Sequence, residues 1–279
     1  MIAVCPNPYR DHNLTITSEV IRILRDMGLD SCICPVFVNE KDCLHGEFKT
    51  ERLRDVLAYL DYVIVLGGDG TILAVVRELD GNPLPILGIN LGTKGFMTAL
   101  EPEEVTRIPE AFRDDVPLSY RMMIDVTLLR SGVEVLHDTA LNDVVIHGYG
   151  ECIQPTAWSD GKKMFSFSGD GLVVATPTGS TGYSMSAGGP IVEPNASAIL
   201  LTPICAHTMT AKPFVLSHER RVRVLTEKLT GRRAYLAVDG YQVADLESGD
   251  VLELHMSEKH VCMIELSQRS FFERLEKLV

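Results

Sequence analysis

The sequence predicts an N-terminal α/β domain with a Rossmann-like parallel sheet, followed by a C-terminal β-rich domain of the β-sandwich type. Strand and helix patterns alternate up to residue 90, which is typical of repeated β-α-β units. Beyond residue 116, short β-branched or alternating runs follow one another with turn residues between them, as in all-β domains. A length of 279 residues is sufficient for two cores of ordinary size.

The first domain is assigned to residues 1–116. Its predicted strands are the apolar runs at residues 2–5, 31–38, 62–66 and 86–90. Its predicted helices have apolar side chains at helical spacing and cover residues 13–27, 51–60 and 71–79, with a further acidic helical segment at 101–115. The first helix should end before Gly28, because glycine commonly ends helices. In such a sheet, ligands bind at the carboxyl ends of the parallel strands.

The second domain is assigned to residues 117–268. Its predicted strands are residues 121–129, 133–137, 143–147, 172–176, 222–225, 234–238, 251–256 and 260–266, with a hairpin expected across 157–163. Turn dipeptides such as Asp239-Gly240 separate them. The last segment, residues 269–279, includes an amphipathic stretch at 271–278. We expect it to form a helix that packs back on the first domain.

Composition excludes several classes of protein. Apolar residues make up 46% of the chain and its formal net charge is −12, so a normal core is expected and binding to nucleic acid or anionic membranes is not. No run reaches the roughly 18 apolar residues of a membrane span, and a cytoplasmic protein is expected. Seven scattered cysteines do not form a disulfide framework. Cys32, Cys34, Cys43 and His45 lack the paired spacing of common zinc sites, and we predict no metal site built from them.

The strongest local motif is Gly67-Gly68-Asp69-Gly70-Thr71, which follows an apolar strand and precedes a helix. Glycines allow the main chain to approach a ligand closely, and N–H groups at a helix start suit phosphate. A carboxylate beside phosphate is repelled unless a cation or a hydroxyl lies between them. We therefore expect Asp69 to hold magnesium or to accept a proton from a hydroxyl nucleophile. The alternative is that Asp69 is only the N-cap of the helix.

Two common nucleotide-binding motifs are not supported. The sequence contains no G-x-x-x-x-G-K-[ST] pattern, which excludes a P-loop enzyme. A G-x-G-x-x-G pattern that begins at Gly68 has Leu73 in its third glycine position, and no acidic residue ends the strand near Asn90. A hydride-transferring dehydrogenase is therefore disfavoured.

Two other segments carry groups that suit a nucleoside. Residues 176–190 follow Gly169-Asp170-Gly171 and a short strand, and are dense in glycine and small hydroxyl residues. They supply hydrogen-bond donors and acceptors, and Tyr183 can stack on a flat ring. Asn142 and Asp143 stand at the head of a predicted strand, where an amide could bind adenine and a carboxylate could bind ribose hydroxyls. Each segment alone is also compatible with an ordinary loop or turn.

Taken together, these motifs resemble the NAD kinase family over nearly the whole chain. The matching segments are Gly67-Gly68-Asp69-Gly70-Thr71, residues 88–96, Asn142-Asp143, Asp170-Gly171, residues 176–189 and residues 207–209. The resemblance implies transfer of the terminal phosphoryl group of ATP to the adenosine 2′-hydroxyl of NAD, with a divalent metal ion such as Mg²⁺. It also implies that NAD binds between the two domains and that the chain forms a homodimer or homotetramer.

The resemblance implies a role for each matching residue. Asp69 would be the base that acts on the 2′-hydroxyl. The residues along the triphosphate would be Gly67, Gly68 and Gly70, and Thr71 would also belong to the nucleotide-binding site. The adenine contacts would be Asn142, Thr178 and Thr181, with Phe96 nearby. The ribose contacts would be Asp143 and Tyr183, and the nicotinamide-side wall would be Asp170, Ser186 and Ala206.

Several positions differ from the family pattern. Asp143 stands where the family usually has glutamate. Gly182, which is also expected at the substrate site, stands where alanine is common. Ser168 stands where arginine is frequent. Thr93-Lys94 replaces a usual His-Leu pair.

Two other functions remain as alternatives. A lipid kinase of the diacylglycerol kinase type shares the Gly-Gly-Asp-Gly-Thr loop, but the charge of −12 and the lack of a basic amphipathic helix disfavour it. A non-catalytic NAD-binding regulator would bind without turnover, and an intact loop with Asp69 favours an enzyme over it.

Overall fold

The computed structural model describes residues 1–37, 49–92, 95–208, 210–226, 229 and 231–276. The chain divides into two compact units, residues 1–120 together with 261–279, and residues 121–260. The α-helices of the described residues are α1 Thr15–Asp26, α2 Leu53–Val56, α3 Asp69–Leu79, α4 Tyr183–Ser186 and α5 Phe271–Glu276. Short 3₁₀ segments are His12–Leu14, Leu57–Tyr59, Pro102–Phe112 and Thr178–Thr181. The domain boundaries predicted after residues 116 and 268 stay predictions.

The first unit is built on parallel strands in the order β2-β1-β3-β4. These strands are β1 Ile2–Pro6, β2 Ser31–Ile33, β3 Tyr62–Gly67 and β4 Ile86–Asn90. Ile2 lies opposite both Ser31 and Tyr62, and Val63 lies opposite Ile86. Every residue of β1 and β4 is buried, as expected for parallel strands covered on both faces. The predicted α/β fold of this unit is confirmed.

Helix α1 shows why this sequence folds as it does. Val20 and Leu24 are one helical turn apart and fully buried, and each such burial stabilises the fold by roughly 1.5–3 kcal/mol. The carboxylate of Asp11 accepts hydrogen bonds from the main-chain N–H of Thr17 (2.8 Å) and Ile16 (3.0 Å) and so caps the first turn. The helix ends before Gly28, which has a positive φ of 73°, as predicted.

The carboxyl ends of the parallel strands place the glycine-rich loop. Strands β1, β3 and β4 end at Pro6, Gly67 and Asn90, and parallel strands present these ends at one edge of the sheet. The segments that follow these three strands are therefore brought to the same edge.

The second unit consists of antiparallel strands. They are β5 Leu118–Arg130, β6 Val133–Ala140, β7 Asp143–Gly148, β8 Pro155–Ser159, β9 Lys162–Ser166, β10 Gly171–Ala175, β11 Ala198–Ile204, β12 Phe214–Ser217, β13 Val222–Thr226, β14 Ala234–Val238, β15 Tyr241–Leu246 and β16 Val251–Ile264. Six form a sheet in the order β12-β11-β10-β7-β14-β15. In it Val145 lies opposite Val173 and Ala237. Strands β8, β9, β13 and the first part of β16 pair with one another, and buried side chains such as Ile146 and Leu252 belong to one core. The predicted β-rich fold is confirmed.

Several predicted elements differ from those in the structure. The strands predicted at 251–256 and 260–266 are one strand, β16, because main-chain pairing does not require apolar side chains and the intervening Ser257 is itself buried. Strands β11, β12 and β15 were not predicted. The helix predicted at 51–60 is only α2 followed by a 3₁₀ turn, and the segment at 101–115 is a 3₁₀ helix with Pro109 inside it. The strand predicted at 31–38 has its described part at Ser31–Ile33, and residue 38 lies outside the described residues.

Candidate functional site

The glycine-rich loop in the first unit borders a cavity of about 400 Å³. Strand β3 ends at Gly67, Gly68 is the N-cap, and α3 begins at Asp69. A β-carbon at Gly67 would overlap the side chain of Thr71, so the loop requires glycine there. The described residues that line the cavity are Asn7, Arg10, Phe37, Gly68, Asp69, Gly70, Thr71 and Gly92.

Asp69 is held by the main chain of a neighbouring loop. Both of its carboxylate oxygens lie 3.1 Å from the N–H of Phe96, and Oδ1 also accepts a hydrogen bond from Met97 N–H at 3.0 Å. The capping interpretation of Asp69 is wrong, because the N-cap position belongs to Gly68. A carboxylate fixed in this way can accept a proton from a substrate hydroxyl.

Sequence analysis missed Asn7 and Arg10, which lie just after β1. The Asn7 side chain donates a hydrogen bond to Thr71 Oγ1 (3.2 Å) and accepts one from Tyr9 N–H (3.1 Å). Arg10 N–H donates to the Asn7 carbonyl at 2.9 Å. The turn that carries Arg10 is thus tied to the start of α3. Its position after a parallel strand was a signal that could have revealed it.

The second unit gathers Asn142, Asp143 and residues 176–182. Thr176 Oγ1 donates to the Leu141 carbonyl (2.6 Å), and Thr176 N–H donates to the Asn142 carbonyl (2.9 Å). A β-carbon at Gly179 would overlap the Asn142 main chain. A β-carbon at Gly182 would lie 3.7 Å from Asn142 Nδ2 and 3.9 Å from Asp143 Oδ2. The alanine common in the resembled family would therefore touch both side chains, and its β-carbon would also lie 3.3 Å from the Gly179 carbonyl oxygen, a tight contact that glycine avoids.

Two side chains predicted to contact adenine have buried atoms without a protein partner. Asn142 Oδ1 and Thr178 Oγ1 are both buried, and neither makes a hydrogen bond within the described part of the chain. Leaving a buried polar atom unpaired costs about 1–3 kcal/mol, and folded proteins rarely accept this cost without a reason. A bound ligand that hydrogen-bonds these two atoms would supply one.

Asp239 organises this region, and sequence analysis identified it only as part of a turn. It lies between β14 and β15 with Gly240, and both residues have positive φ, as a two-residue hairpin turn requires. Its carboxylate accepts hydrogen bonds from the N–H groups of Leu141 (2.8 Å), Asn142 (2.7 Å) and Asp143 (3.1 Å). These bonds fix the main chain of the Asn142-Asp143 pair.

Asp143 is buried beside a second carboxylate. Its side chain is 6% exposed. Burial and the nearby negative charge of Asp239, in that order, raise the pKa of Asp143 to about 7. Burial also raises the pKa of Asp239, while its three N–H donors act in the opposite direction. Asp143 therefore changes its charge near neutral pH.

The remaining predicted residues lie just before, between or just after strands β10 and β11 of the second unit. Burial raises the pKa of Tyr183, and so do the charges of Asp170 and Asp143 to a smaller degree. Asp170 accepts a hydrogen bond from the Cys205 thiol, which raises the pKa of Cys205. Of the other residues predicted for substrate contact, Thr181 ends a 3₁₀ turn, Ser186 is exposed on α4 and Ala206 lies next to Gly169.

No metal-binding cluster occurs among the described residues: nowhere in them do three or more His, Cys, Asp or Glu side chains converge. Cys32 Sγ and Cys34 Sγ lie 3.8 Å apart. Cys43, His45, Thr93 and Lys94 lie outside the described residues.

Two protein-family models match the chain. The ATP-NAD kinase N-terminal domain matches residues 2–115 and the ATP-NAD kinase C-terminal domain matches residues 141–266. An NAD kinase of Geotalea daltonii is 32% identical over 277 residues, which cover 98% of this chain and 96% of that protein. An NAD kinase of Lachnoclostridium phytofermentans is 34% identical over 280 residues, with the same coverage of 98% and 96%.

Two solved structures have a similar fold. An NAD kinase from Archaeoglobus fulgidus in complex with ATP aligns with a TM-score of 0.75 at 25% identity, and the match covers 100% of this chain and 98% of that one. Yeast NADH kinase complexed with NADH aligns with a TM-score of 0.85 at 24% identity, over 99% of this chain and 85% of that one. At that identity the yeast structure supports the fold alone.

Proposed function

This chain belongs to the NAD kinase family, and from that membership we propose how its residues bind and activate the substrates. The enzyme is a phosphotransferase with an alcohol group as acceptor: it transfers the terminal phosphoryl group of ATP to the adenosine 2′-hydroxyl of NAD and so forms NADP. Neither the lipid-kinase function nor the non-catalytic function is favoured by these matches.

The observation that carries the proposed mechanism is the placement of Asp69. Its carboxylate lies on the wall of the 400 Å³ cavity and is fixed by N–H groups of Phe96 and Met97. A ribose hydroxyl is a poor nucleophile at neutral pH, and a fixed carboxylate can orient it and accept its proton. The test is to incubate the purified protein with NAD and Mg-ATP and to measure NADP with an NADP-specific dehydrogenase. Absence of NADP would contradict the assignment.

The triphosphate is proposed to lie along the loop Gly67-Gly68 and the first residues of α3. The N-terminal end of this eleven-residue helix carries partial positive charge and N–H donors that favour phosphate. Gly70 is exposed, and a β-carbon there would meet no atom within 4 Å, so this surface is open to a ligand. Thr71 presents its hydroxyl to the Asn7 side chain.

The nucleoside of NAD is proposed to bind the second unit. Support comes from the unpaired Asn142 Oδ1 and Thr178 Oγ1, which can accept or exchange hydrogen bonds with adenine. The other proposed contacts are Thr181 and Gly182 for adenine, Asp143 and Tyr183 for ribose, and Asp170, Ser186 and Ala206 for the nicotinamide side. The role of Phe96 near the adenine also stays a proposal.

Arg10 is proposed to bind the phosphates of ATP. It is the cation among the described residues that line the cavity, where Asp69 is the anion, and a triphosphate in a protein of net charge −12 needs such a partner. We expect Arg10→Gln to raise the KM for ATP by about tenfold and to leave the KM for NAD within about twofold. Arg22→Gln is the matched control, because Arg22 is exposed on α1. An unchanged KM for ATP in steady-state kinetics would remove Arg10 from the site.

A divalent metal, Mg²⁺ in the simplest case, is proposed to accompany ATP. Mg²⁺ keeps several waters and is bound largely by substrate phosphates, so in this proposal the ATP phosphates hold it and Asp69 serves as the base. The metal would neutralise part of the phosphate charge. Chelation should therefore abolish turnover, and added Mg²⁺ should restore it. Full activity in excess chelator would contradict this.

Assembly and location are proposed from the family alone. We propose a homodimer or homotetramer, which light scattering at micromolar concentration would test, and a cytoplasmic location, which cell fractionation would test. No α-helix in the described ranges is both long and apolar enough to cross a membrane.

A further inference from the structure

The C-terminal helix contacts the loop that holds Asp69. Arg274, on α5, donates a hydrogen bond from Nη1 to the carbonyl oxygen of Phe96 at 3.2 Å. Arg274 is half-buried, and its Nε is buried without a hydrogen-bond partner in the described structure. The hydrogen bond to the Phe96 carbonyl therefore helps to position a guanidinium group whose own donors are not all paired.

The same peptide group links Arg274 to Asp69. The carbonyl of Phe96 and the N–H of Met97 belong to one planar peptide unit, and that N–H donates to Asp69 Oδ1 at 3.0 Å. A cation on the carbonyl polarises the peptide and strengthens the hydrogen bond made by its N–H. The guanidinium group of Arg274 and the carboxylate of Asp69 are therefore coupled through this peptide, both by its fixed geometry and by its polarisation.

A second arginine of the C-terminal segment, Arg269, is linked through Glu101 to Asn90 at the end of β4. Arg269 Nη1 lies 3.0 Å from Glu101 Oε1, and Glu101 Oε2 accepts a hydrogen bond from Asn90 Nδ2 at 3.0 Å. Asn90 Oδ1 in turn accepts one from Gly92 N–H at 3.0 Å. The two arginines thus anchor the segment after β4 on either side of residues 93 and 94.

A cavity of about 300 Å³ is bordered by the residues of both arginine contacts. Its wall includes Gly95, Phe96, Glu101, Arg269 and Arg274. Arg274 thus lines this cavity, although its Nε is buried. The hydrogen bond from Arg274 to the Phe96 carbonyl links α5 to the loop.

We propose that Arg274 is a positioning residue for phosphoryl transfer, which orients Asp69 through the Phe96–Met97 peptide. The inference rests on the proposed role of Asp69 as the base. It assigns a function to the C-terminal helix that the glycine-rich loop and the substrate motifs do not suggest. Arg274 touches no substrate in this scheme, so its loss should lower kcat and leave substrate binding intact.

The test compares Arg274→Ala, Arg274→Lys and Phe272→Ala by steady-state kinetics and thermal melting. We expect Arg274→Ala to lower kcat by about tenfold, with the KM values for NAD and ATP within about twofold. Arg274→Lys keeps a cationic donor and should recover most of this loss, and added guanidinium ion should partly rescue Arg274→Ala. Phe272 is 66% exposed on the same helix, and Phe272→Ala should retain parental kcat. Parental kcat in Arg274→Ala, or no recovery in Arg274→Lys at an unchanged melting temperature, would overturn the proposal.

A double-mutant cycle separates this inference from the role of Asp69. If Arg274 acts through Asp69, Arg274→Ala should cost little further turnover in an Asp69→Asn background, because coupled residues are non-additive. Fully additive losses would overturn the positioning role while leaving Asp69 as the base. Parental turnover of Asp69→Asn alone would instead contradict the role of Asp69 and, with it, the proposal for Arg274.

Discussion

Asp69→Asn should lower turnover by about 10²–10⁴-fold, the usual contribution of a positioned general base, and leave NAD affinity within a few-fold. Asparagine has nearly the same shape but cannot accept the proton of the ribose hydroxyl or carry negative charge. Its side-chain oxygen can still accept the N–H of Phe96 and Met97 that Asp69 Oδ1 accepts now. The loss should therefore appear in kcat rather than in folding.

Three measurements on this one variant distinguish the chemical role of Asp69 from a structural one. Turnover reports the proton transfer, NAD affinity reports binding and the melting temperature reports stability. A purely structural Asp69, which only fixes the Phe96–Met97 segment, predicts a lower melting temperature and a turnover rate that scales with the folded fraction. A well-folded Asp69→Asn enzyme with near-parental turnover would remove Asp69 from the mechanism.

Asp143→Ala should weaken NAD binding by about 1.5–3 kcal/mol, or about 10- to 150-fold, the range for a charge-assisted hydrogen bond. The main chain at this position is fixed independently by Asp239, which accepts the Asp143 N–H at 3.1 Å, so the loop should survive the substitution. Asp143→Glu restores the residue usual in the family and should be tolerated, with a lower KM for NAD. NAD affinities equal to the parent in both variants would show that Asp143 does not touch the ribose.

The pKa of Asp143 adds a dependence on pH. With a pKa of about 7, the carboxyl group is mostly protonated at pH 6 and mostly ionised at pH 8. The KM for NAD should therefore fall by up to about tenfold between these values, because the ionised form is the better acceptor for ribose hydroxyls. Asp143→Asn should abolish this change. A pH dependence that persists in Asp143→Asn would assign it to another group.

The same raised pKa also makes the stability of the fold depend on pH, in the opposite direction. Ionisation of Asp143 favours NAD binding but disfavours folding. The folded-state pKa of Asp143 lies above 3.8, the ordinary value for aspartate in an unfolded chain. Between about pH 4 and pH 7 the carboxyl group is ionised in the unfolded chain and protonated in the folded one. The free energy of unfolding therefore falls as the pH rises through this range. Asp143→Asn should reduce that decline, which denaturant unfolding at several pH values can measure. These unfolding measurements distinguish an effect of Asp143 on the stability of the fold from an effect on its contact with NAD.

Local pattern was sufficient for the parallel part of the fold and for the main motifs. Strand β4 and helix α1 were predicted to within about two residues because buried apolar runs and helical spacing leave a strong signal over a short window. The edge strands β12 and β15 gave no such signal, because they are short and Leu246 is the one buried residue in them, so neither carries a buried apolar run. The helix start at Asp69 was placed two residues late, because N-cap geometry depends on main-chain angles that residue types do not determine.

The two-part fold, the family, the glycine-rich loop and the nucleoside motifs could be recognised from the sequence alone. Each of these features is carried by residues that are contiguous in the chain. The tertiary structure alone decided which groups act on those segments. It brought Asp239 to the N–H groups of Leu141, Asn142 and Asp143 from almost 100 positions away, and Arg274 to Phe96 from 178 positions away. Such contacts leave no local trace, because a hydrogen bond between distant residues depends on where the chain folds rather than on the neighbours of either residue. Burial is likewise a property of the folded chain, and it is burial that moves the pKa of Asp143 into the physiological range.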